Sequence, residues 1–78
     1  MDDDHRAIRA RLSRMSPRKA TEWVSSIGLP EVEAACIIEC DIRRRSCVQA
    51  AEALHMSVDG LRKARRRAYG KLADEMKE

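Results

Sequence analysis

Apolar residues recur with helical spacing over residues 46–72, and they divide this stretch into two short helices. The first helix is marked by Val48, Ala50, Ala51 and Leu54. The second is marked by Leu61, Ala64, Ala68 and Leu72, whose spacings of three and four residues form one narrow apolar stripe. The pattern breaks at residues 55–57. We therefore predict helices near residues 47–54 and 58–73, joined by a tight turn.

Both of these helices carry start signals. Ser46 is followed three residues later by Gln49, which is the spacing of a capping box. In that motif the serine hydroxyl accepts from the Gln49 N–H, and the glutamine side chain accepts from the Ser46 N–H. Ser57 can cap the second helix, and Asp59 in its first turn suits the positive end of the helix dipole.

The chain before residue 43 predicts three more helices, near residues 3–14, 17–27 and 30–41. Ser16-Pro17 begins the middle one as N-cap and first helical residue, and Gly28 ends it. Leu29-Pro30 starts the next, whose inner side we expect to contain Val32, Cys36, Ile37 and Cys40. The helix near residues 3–14 has a narrow apolar stripe formed by Ile8, Leu12 and Met15. Because so short a helix is marginal alone, it packs on the domain, packs on a partner, or frays.

Length and composition limit the chain to one small domain. It has 78 residues, of which 44% are apolar and only Trp23 and Tyr69 are aromatic. The predicted fold class is all-α, a four- or five-helix domain with a helix-turn-helix at residues 46–72. Residues 1–15 form an N-terminal helical arm, residues 16–73 the helix-turn-helix domain, and residues 74–78 an acidic tail that frays. The core should bury Trp23, as its largest residue, with Ile37, Leu54, Leu61 and Leu72.

Positive charge is concentrated on the two-helix unit. The chain carries a net charge of +3, but residues 43–71 contain nine Lys/Arg and only two acidic residues. Five of the six residues from Arg62 to Arg67 are basic, and like charges one turn apart destabilise an isolated helix. An anionic partner would offset that repulsion, and a helix-turn-helix places its second helix in the DNA major groove. The alternative is a solvated charged face.

A longer pattern carries a family resemblance. It consists of Leu29-Pro30, Glu33, Ser46-x-x-Gln49-Ala50-Ala51-x-x-Leu54-x-Met56-Ser57, Leu61 and Arg67-Ala68-x-x-Lys71-Leu72, without a gap over residues 29–72. It resembles region four of bacterial sigma factors and the small sigma-like helix-turn-helix proteins often found in prophages. The resemblance implies double-stranded DNA binding and transcriptional regulation, with RNA polymerase as a further partner.

The chain departs from that family at two places where glycine is usual. The turn holds His55, and the loop before the first helix of the pair holds the Arg43-Arg44-Arg45 run. We therefore expect a residue other than glycine to adopt the left-handed conformation of the turn.

Two sets of residues are predicted to contact DNA. Those that face base edges are Ser57, Val58, Asp59, Arg62, Lys63 and Arg66. Those that contact phosphates are Arg43, Arg44, Arg45, Ser46, Gln49, Arg65, Arg67 and Lys71.

Catalytic and metal chemistry have weak signals. Cys36, Cys40 and Cys47 could be combined with His5 or His55 into a zinc set, but no paired C-x-x-C or H-x-x-x-H spacing is present. Since no nucleophile elbow, Gly-rich phosphate loop or convergent carboxylate pair occurs either, we expect no enzyme, metal or cofactor. No apolar run is long enough for a bilayer and the acidic start is unlike a signal peptide, which predicts a cytoplasmic protein without a membrane partner.

Two classes of function remain open from the sequence. One is the DNA-binding regulator; the other is a protein-interaction module that docks on RNA polymerase or on a phage packaging partner through its basic helix. No strong dimer seam is visible, so we expect a monomer or a weak dimer. A single recognition helix reads only a few base pairs, so specific binding usually needs a dimer or a polymerase partner.

Overall fold

The computed structural model of the chain describes residues 3–76. Over that range the chain forms five α-helices and no β-strand: α1 Asp3–Arg14, α2 Pro17–Ile27, α3 Glu31–Ile37, α4 Cys47–Ala53 and α5 Val58–Met76. The predicted all-α fold class is therefore confirmed. None of these helices combines the length and apolar character that crossing a bilayer requires.

The predicted helix starts are present. Ser46 Oγ accepts from the Gln49 N–H and Gln49 Oε1 accepts from the Ser46 N–H, both at 3.1 Å, which completes the capping box of α4. Ser57 Oγ accepts from the Gly60 N–H at 3.0 Å at the start of α5. Ser16 caps α2 through the Lys19 N–H at 3.3 Å, ahead of proline at the first helical position. These bonds satisfy N–H groups that have no partner within the helix.

The helix predicted at residues 30–41 divides into two kinds of helix. It is α-helical over Glu31–Ile37 and continues as a π-helical segment over Ile38–Ile42. Arg44, with φ of 59°, reverses the chain after it, and the Arg45 N–H donates to the Glu39 carbonyl at 3.0 Å. The π segment was not predicted, because a wider turn leaves no mark in the spacing of apolar residues.

The turn between α4 and α5 is left-handed at His55, as the missing glycine led us to expect. His55 has φ of 56°. The Met56 N–H donates to the Ala51 carbonyl at 2.9 Å, and the His55 N–H donates to the Glu52 carbonyl at 3.2 Å. These two bonds define a Schellman motif, whose left-handed position usually holds glycine.

Changing His55 to glycine should therefore raise the free energy of unfolding. The side chain is exposed, and removing it relieves the left-handed strain. After the added entropy of the unfolded chain is subtracted, we expect a gain of about 0.4–1 kcal/mol by urea unfolding. Glu52→Gly, at a right-handed position of α4, should destabilise the protein. A loss of stability with His55→Gly would contradict the strain argument.

The core consists of two clusters that share α5. The larger lies between α1, α2, α3 and the C-terminal half of α5, and its fully buried residues include Ile8, Val24, Ile37, Tyr69 and Leu72. The smaller lies between α3, α4 and the N-terminal half of α5, and contains Cys36, Ala50, Ala51, Leu61 and Ala64. Because alanines form most of the smaller cluster, the backbones of α4 and α5 can pack closely. The apolar stripe predicted for α5 is buried throughout.

The ends of the chain pack on this core. Ile8 and Leu12 bury the inner face of α1, so the N-terminal arm packs on the domain. Helix α5 continues through Met76, which contacts the larger cluster, so the predicted fraying does not begin at residue 74. The last two positions of the predicted tail lie outside the described residues.

Two predictions about the core were wrong. Trp23 is only half-buried and lies under the Arg11 guanidinium, 4.8 Å from the ring centroid, while Tyr69 is the largest fully buried side chain. Trp23 can lie at the surface because its ring face attracts a cation. Leu54 is also half-buried and packs at the edge of the smaller cluster. The predicted burial of Ile37, Leu61 and Leu72 is confirmed.

The inner side of α3 also differs from the prediction. Val32 is 52% exposed, whereas Glu33 is only 6% exposed. The glutamate takes the inward position because two basic side chains of α5 bind its carboxylate.

Candidate nucleic-acid interface

Helices α4 and α5 form the predicted helix-turn-helix. Ala50 and Ala51 of α4 pack in the same small cluster as Leu61 and Ala64 of α5, which fixes the two helices across the His55 turn. This packing turns the opposite side of α5 toward solvent. The cation-rich half of the helix is therefore presented on a rigid support.

The residues predicted to face base edges lie at the start and on the outer side of α5. Asp59, Arg62, Lys63 and Arg66 are exposed. Lys63 pairs with Asp59 one turn away at 3.3 Å, a surface contact of little energy because both side chains are largely solvated. Arg62 and Arg66 form no ion pair in the described part of the chain.

The other two residues predicted to contact bases, Ser57 and Val58, have structural contacts within the domain. Ser57 uses its hydroxyl oxygen as the cap of α5. Val58 is half-buried and packs against the smaller cluster. Val58 is therefore the least available member of the predicted set.

The arginine loop before α4 is held by one buried carboxylate. Glu39, in the π segment, has a side chain 14% exposed; Arg43 Nη1 lies 3.7 Å from its Oε2 and Arg45 Nε 3.2 Å from its Oε1. The Arg45 contact has an ion-pair distance without hydrogen-bond geometry, so Glu39 Oε1 is buried without a hydrogen bond. Arg44 is exposed and forms no ion pair among residues 3–76. Two of the three loop arginines therefore share one carboxylate partner, and all three present positive charge to solvent.

The capping box leaves donors free at the start of α4. Gln49 uses its amide oxygen, and Ser46 uses its hydroxyl oxygen as an acceptor. The amide nitrogen of Gln49 and the hydroxyl proton of Ser46 can still donate to a phosphate. Because the cap fixes both side chains, little rotamer freedom would be lost on binding.

Arg65, which we predicted to contact phosphate, lies in an internal ion pair. Its Nε donates to Asp41 Oδ2 at 3.1 Å and its Nη2 to Asp41 Oδ1 at 2.7 Å, while the Tyr69 hydroxyl donates to Oδ1 at 2.6 Å. The Asp41 hydrogen bonds raise the pKa of Arg65. Burial raises the pKa of Tyr69 to about 12, the hydrogen bond to Asp41 adds to that rise, and the charge of Arg65 and a hydrogen bond with Arg9 oppose it. The π segment places Asp41 for this contact.

Arg67 and Lys71 also have an internal partner. Lys71 Nζ donates to Glu33 Oε1 at 2.9 Å, and Arg67 Nε donates to Glu33 Oε2 at 3.3 Å. The Lys71 hydrogen bond lowers the pKa of Glu33 against the opposing effect of burial. Both cations remain exposed at their outer sides, but their charge is partly compensated.

Sequence reasoning missed Asp41 and Glu33 as partners of α5. A signal existed for Glu33, which is spaced three and four residues from Cys36 and Ile37 on the inner stripe of α3. The sequence carried no such signal for Asp41, because the direction of its side chain depends on the π segment.

All three cysteines are free thiols, and two of them, Cys36 and Cys40, have pKa values raised by burial. Cys36 is buried, with its Sγ 4.0 Å from Met56 Sδ, and burial raises its pKa. Burial likewise raises the pKa of Cys40 to about 11. Protonated thiols are poor nucleophiles and poor metal ligands. Within residues 3–76 no group of His, Cys, Asp or Glu has the arrangement of a metal site.

Comparisons with known proteins add no further constraint. A scan against protein-family models, a search of curated proteins and a search of solved structures each found no match to this chain.

Proposed function

We propose that this protein binds double-stranded DNA in a sequence-specific manner, as a regulator of transcription. The observation that carries the proposal is the exposed face of α5, where Arg62 and Arg66 lie one turn apart without an acidic partner among the described residues. Helix α4 and the Schellman turn hold this face rigidly. In a helix-turn-helix, the N-terminal part of the second helix is the part that contacts base edges.

The side chains on this face match the chemistry of the major groove. An arginine can donate to both O6 and N7 of guanine, and an aspartate can accept from the cytosine amino group. Arg62, Lys63, Arg66 and Asp59 provide both kinds of group. We infer that they read the bases.

Phosphate contacts are supported at the start of α4. The Arg43-Arg44-Arg45 run, Ser46 and Gln49 lie together there; Glu39 pairs with Arg43 and Arg45, and the capping box fixes Ser46 and Gln49. Arg67 and Lys71 contribute less to this proposal because Glu33 compensates their charge. The resemblance to sigma region four makes RNA polymerase a second proposed partner.

Selection from a library of random duplexes tests this function. The protein, immobilised at low salt and washed at rising salt, should enrich a short motif of a few base pairs. The double variant Arg62→Ala/Arg66→Ala should retain DNA without enriching that motif. If the intact protein enriches no motif, the proposal of sequence-specific binding is wrong. If the immobilised protein retains an acidic protein but no DNA, the alternative function, a protein-interaction module, is favoured.

A further inference from the structure

A basic cleft of about 350 Å³ lies between α1, the start of α4 and α5. Its lining includes Arg9, Arg62, Arg65, Arg66, His5 and Tyr69. Arg9 belongs to α1, a helix that the sequence pattern did not connect with binding. The cleft joins this helix to the exposed face of α5.

Three of the four guanidinium groups in the cleft lack an acidic partner among the described residues. Four guanidinium groups line it, and no carboxylate does among the side chains described, those of residues 5–76. Arg65 has Asp41 as its partner, but Arg9, Arg62 and Arg66 form no ion pair in the described part of the chain. Like charges confined to one cleft repel, and an anion among them removes that repulsion.

The donors are suited to a phosphate group. Arg65 is half-buried and uses Nε and Nη2 internally, so its Nη1 has no hydrogen-bond partner among the described residues. Arg9 lines the same cleft from α1 and is exposed. Planar guanidinium groups bind phosphate oxygens through paired N–H donors, which makes arginine the preferred residue for this ligand.

Helix α1 holds Arg9 in place. The neighbouring Ile8 is fully buried and Leu12 nearly so, which anchors the helix against the core of the domain. The ring of His5 contacts the ring of Tyr69 edge-on, with centroids 4.6 Å apart. The helix that carries Arg9 is therefore packed on the core through buried side chains.

We propose that this cleft binds a phosphate group, and that in the complex with DNA this group is a backbone phosphate beside the groove read by α5. Arg9, which lies outside the helix-turn-helix, supplies one contact with this phosphate. Arg65, the half-buried arginine of the cleft, supplies another. The DNA part of this inference rests on the proposed function. The same chemistry would also accept a free phosphorylated ligand.

Duplex binding at several salt concentrations tests the contact with DNA. Arg9→Ala should flatten the slope of log K against log salt by about 0.9, which corresponds to one lost phosphate contact. Arg14→Ala is the matched control, since Arg14 is exposed on the same helix but lines a different groove. The control should leave the slope near that of the intact protein. Equal slopes for the two variants would overturn the contact between the cleft and DNA.

A titration with inorganic phosphate tests the cleft independently of DNA. At constant ionic strength, phosphate should shift the arginine Nε–H and Tyr69 NMR signals saturably in the intact protein and in Arg14→Ala, but not in Arg9→Ala. Such saturation in a protein that fails to bind duplex DNA would reject the proposed function and assign the cleft to a free phosphorylated ligand. No saturable shift, together with equal salt slopes, would overturn the phosphate site itself.

Discussion

Replacing Asp41 by alanine should lower the free energy of unfolding by about 3 kcal/mol, because Arg65 then loses its carboxylate partner. The Asp41 side chain is 7% exposed and that of Arg65 is 24% exposed, so water can replace the lost contact only in part. The hydrogen bond from the Tyr69 hydroxyl is lost as well. A domain of this size has a total stability of roughly 4–12 kcal/mol. The melting temperature should fall by roughly 12–24 °C.

Three further variants isolate the cause of this loss. Asp59→Ala removes an exposed aspartate that also pairs with a cation of α5, and should cost less than about 1 kcal/mol. Tyr69→Phe removes the hydrogen bond that Tyr69 donates to Asp41 and the one that it accepts from Arg65, but it leaves the ion pair between Asp41 and Arg65, and should cost about 2 kcal/mol. Asp41→Ala/Arg65→Ala should cost less than the sum of its single changes, because it leaves no unpaired charge. A loss with Asp41→Ala no larger than with Asp59→Ala would contradict the account.

The helices and their caps could be predicted because their signals are local. Ser46 and Gln49 are three residues apart, and the apolar stripe of α5 repeats every three or four residues. The left-handed position at His55 was predicted from the resemblance, in which this turn usually holds glycine, and a Schellman turn imposes it whichever residue is present. In each case the residues that cause the structure lie within about one helical turn.

The rest could not be predicted because it depends on contacts between distant residues. Arg65 binds Asp41 across 24 positions, and Arg67 binds Glu33 across 34. On the sequence alone these arginines look the same as Arg62 and Arg66. Helical periodicity gave their direction on α5 but could not show which acidic residues of α3 and the π segment lie opposite. The predicted phosphate contacts therefore included three cations that the fold already uses.

Arg62→Ala and Arg66→Ala should each weaken binding to the selected duplex by about 1–3 kcal/mol, roughly a 5- to 150-fold rise in Kd. Each change removes a base contact, so preference should relax at one base position while binding to random duplex falls much less. Neither side chain has a partner among the described residues, so the stability of the protein should change little. Fluorescence anisotropy on the two duplexes measures both effects.

Arg67→Ala provides the matched control on the same helix. Arg67 is exposed and basic like the other two, but its guanidinium is bound to Glu33, which keeps Lys71 as a partner after the change. Its effect on the selected duplex should be smaller and equal to its effect on random duplex. If all three variants behave alike, α5 binds DNA through its overall charge and does not read bases.

Mapping the DNA-binding surface by NMR tests the central claim most directly. When duplex DNA is added to the intact protein, the largest changes in backbone amide shifts should occur at residues 43–49 and 57–66. The exposed outer side of α2, which carries Lys19 and Ser25, should remain unchanged. Changes centred on α2, or no changes at DNA concentrations where an acidic protein perturbs α5, would contradict DNA recognition by this helix-turn-helix.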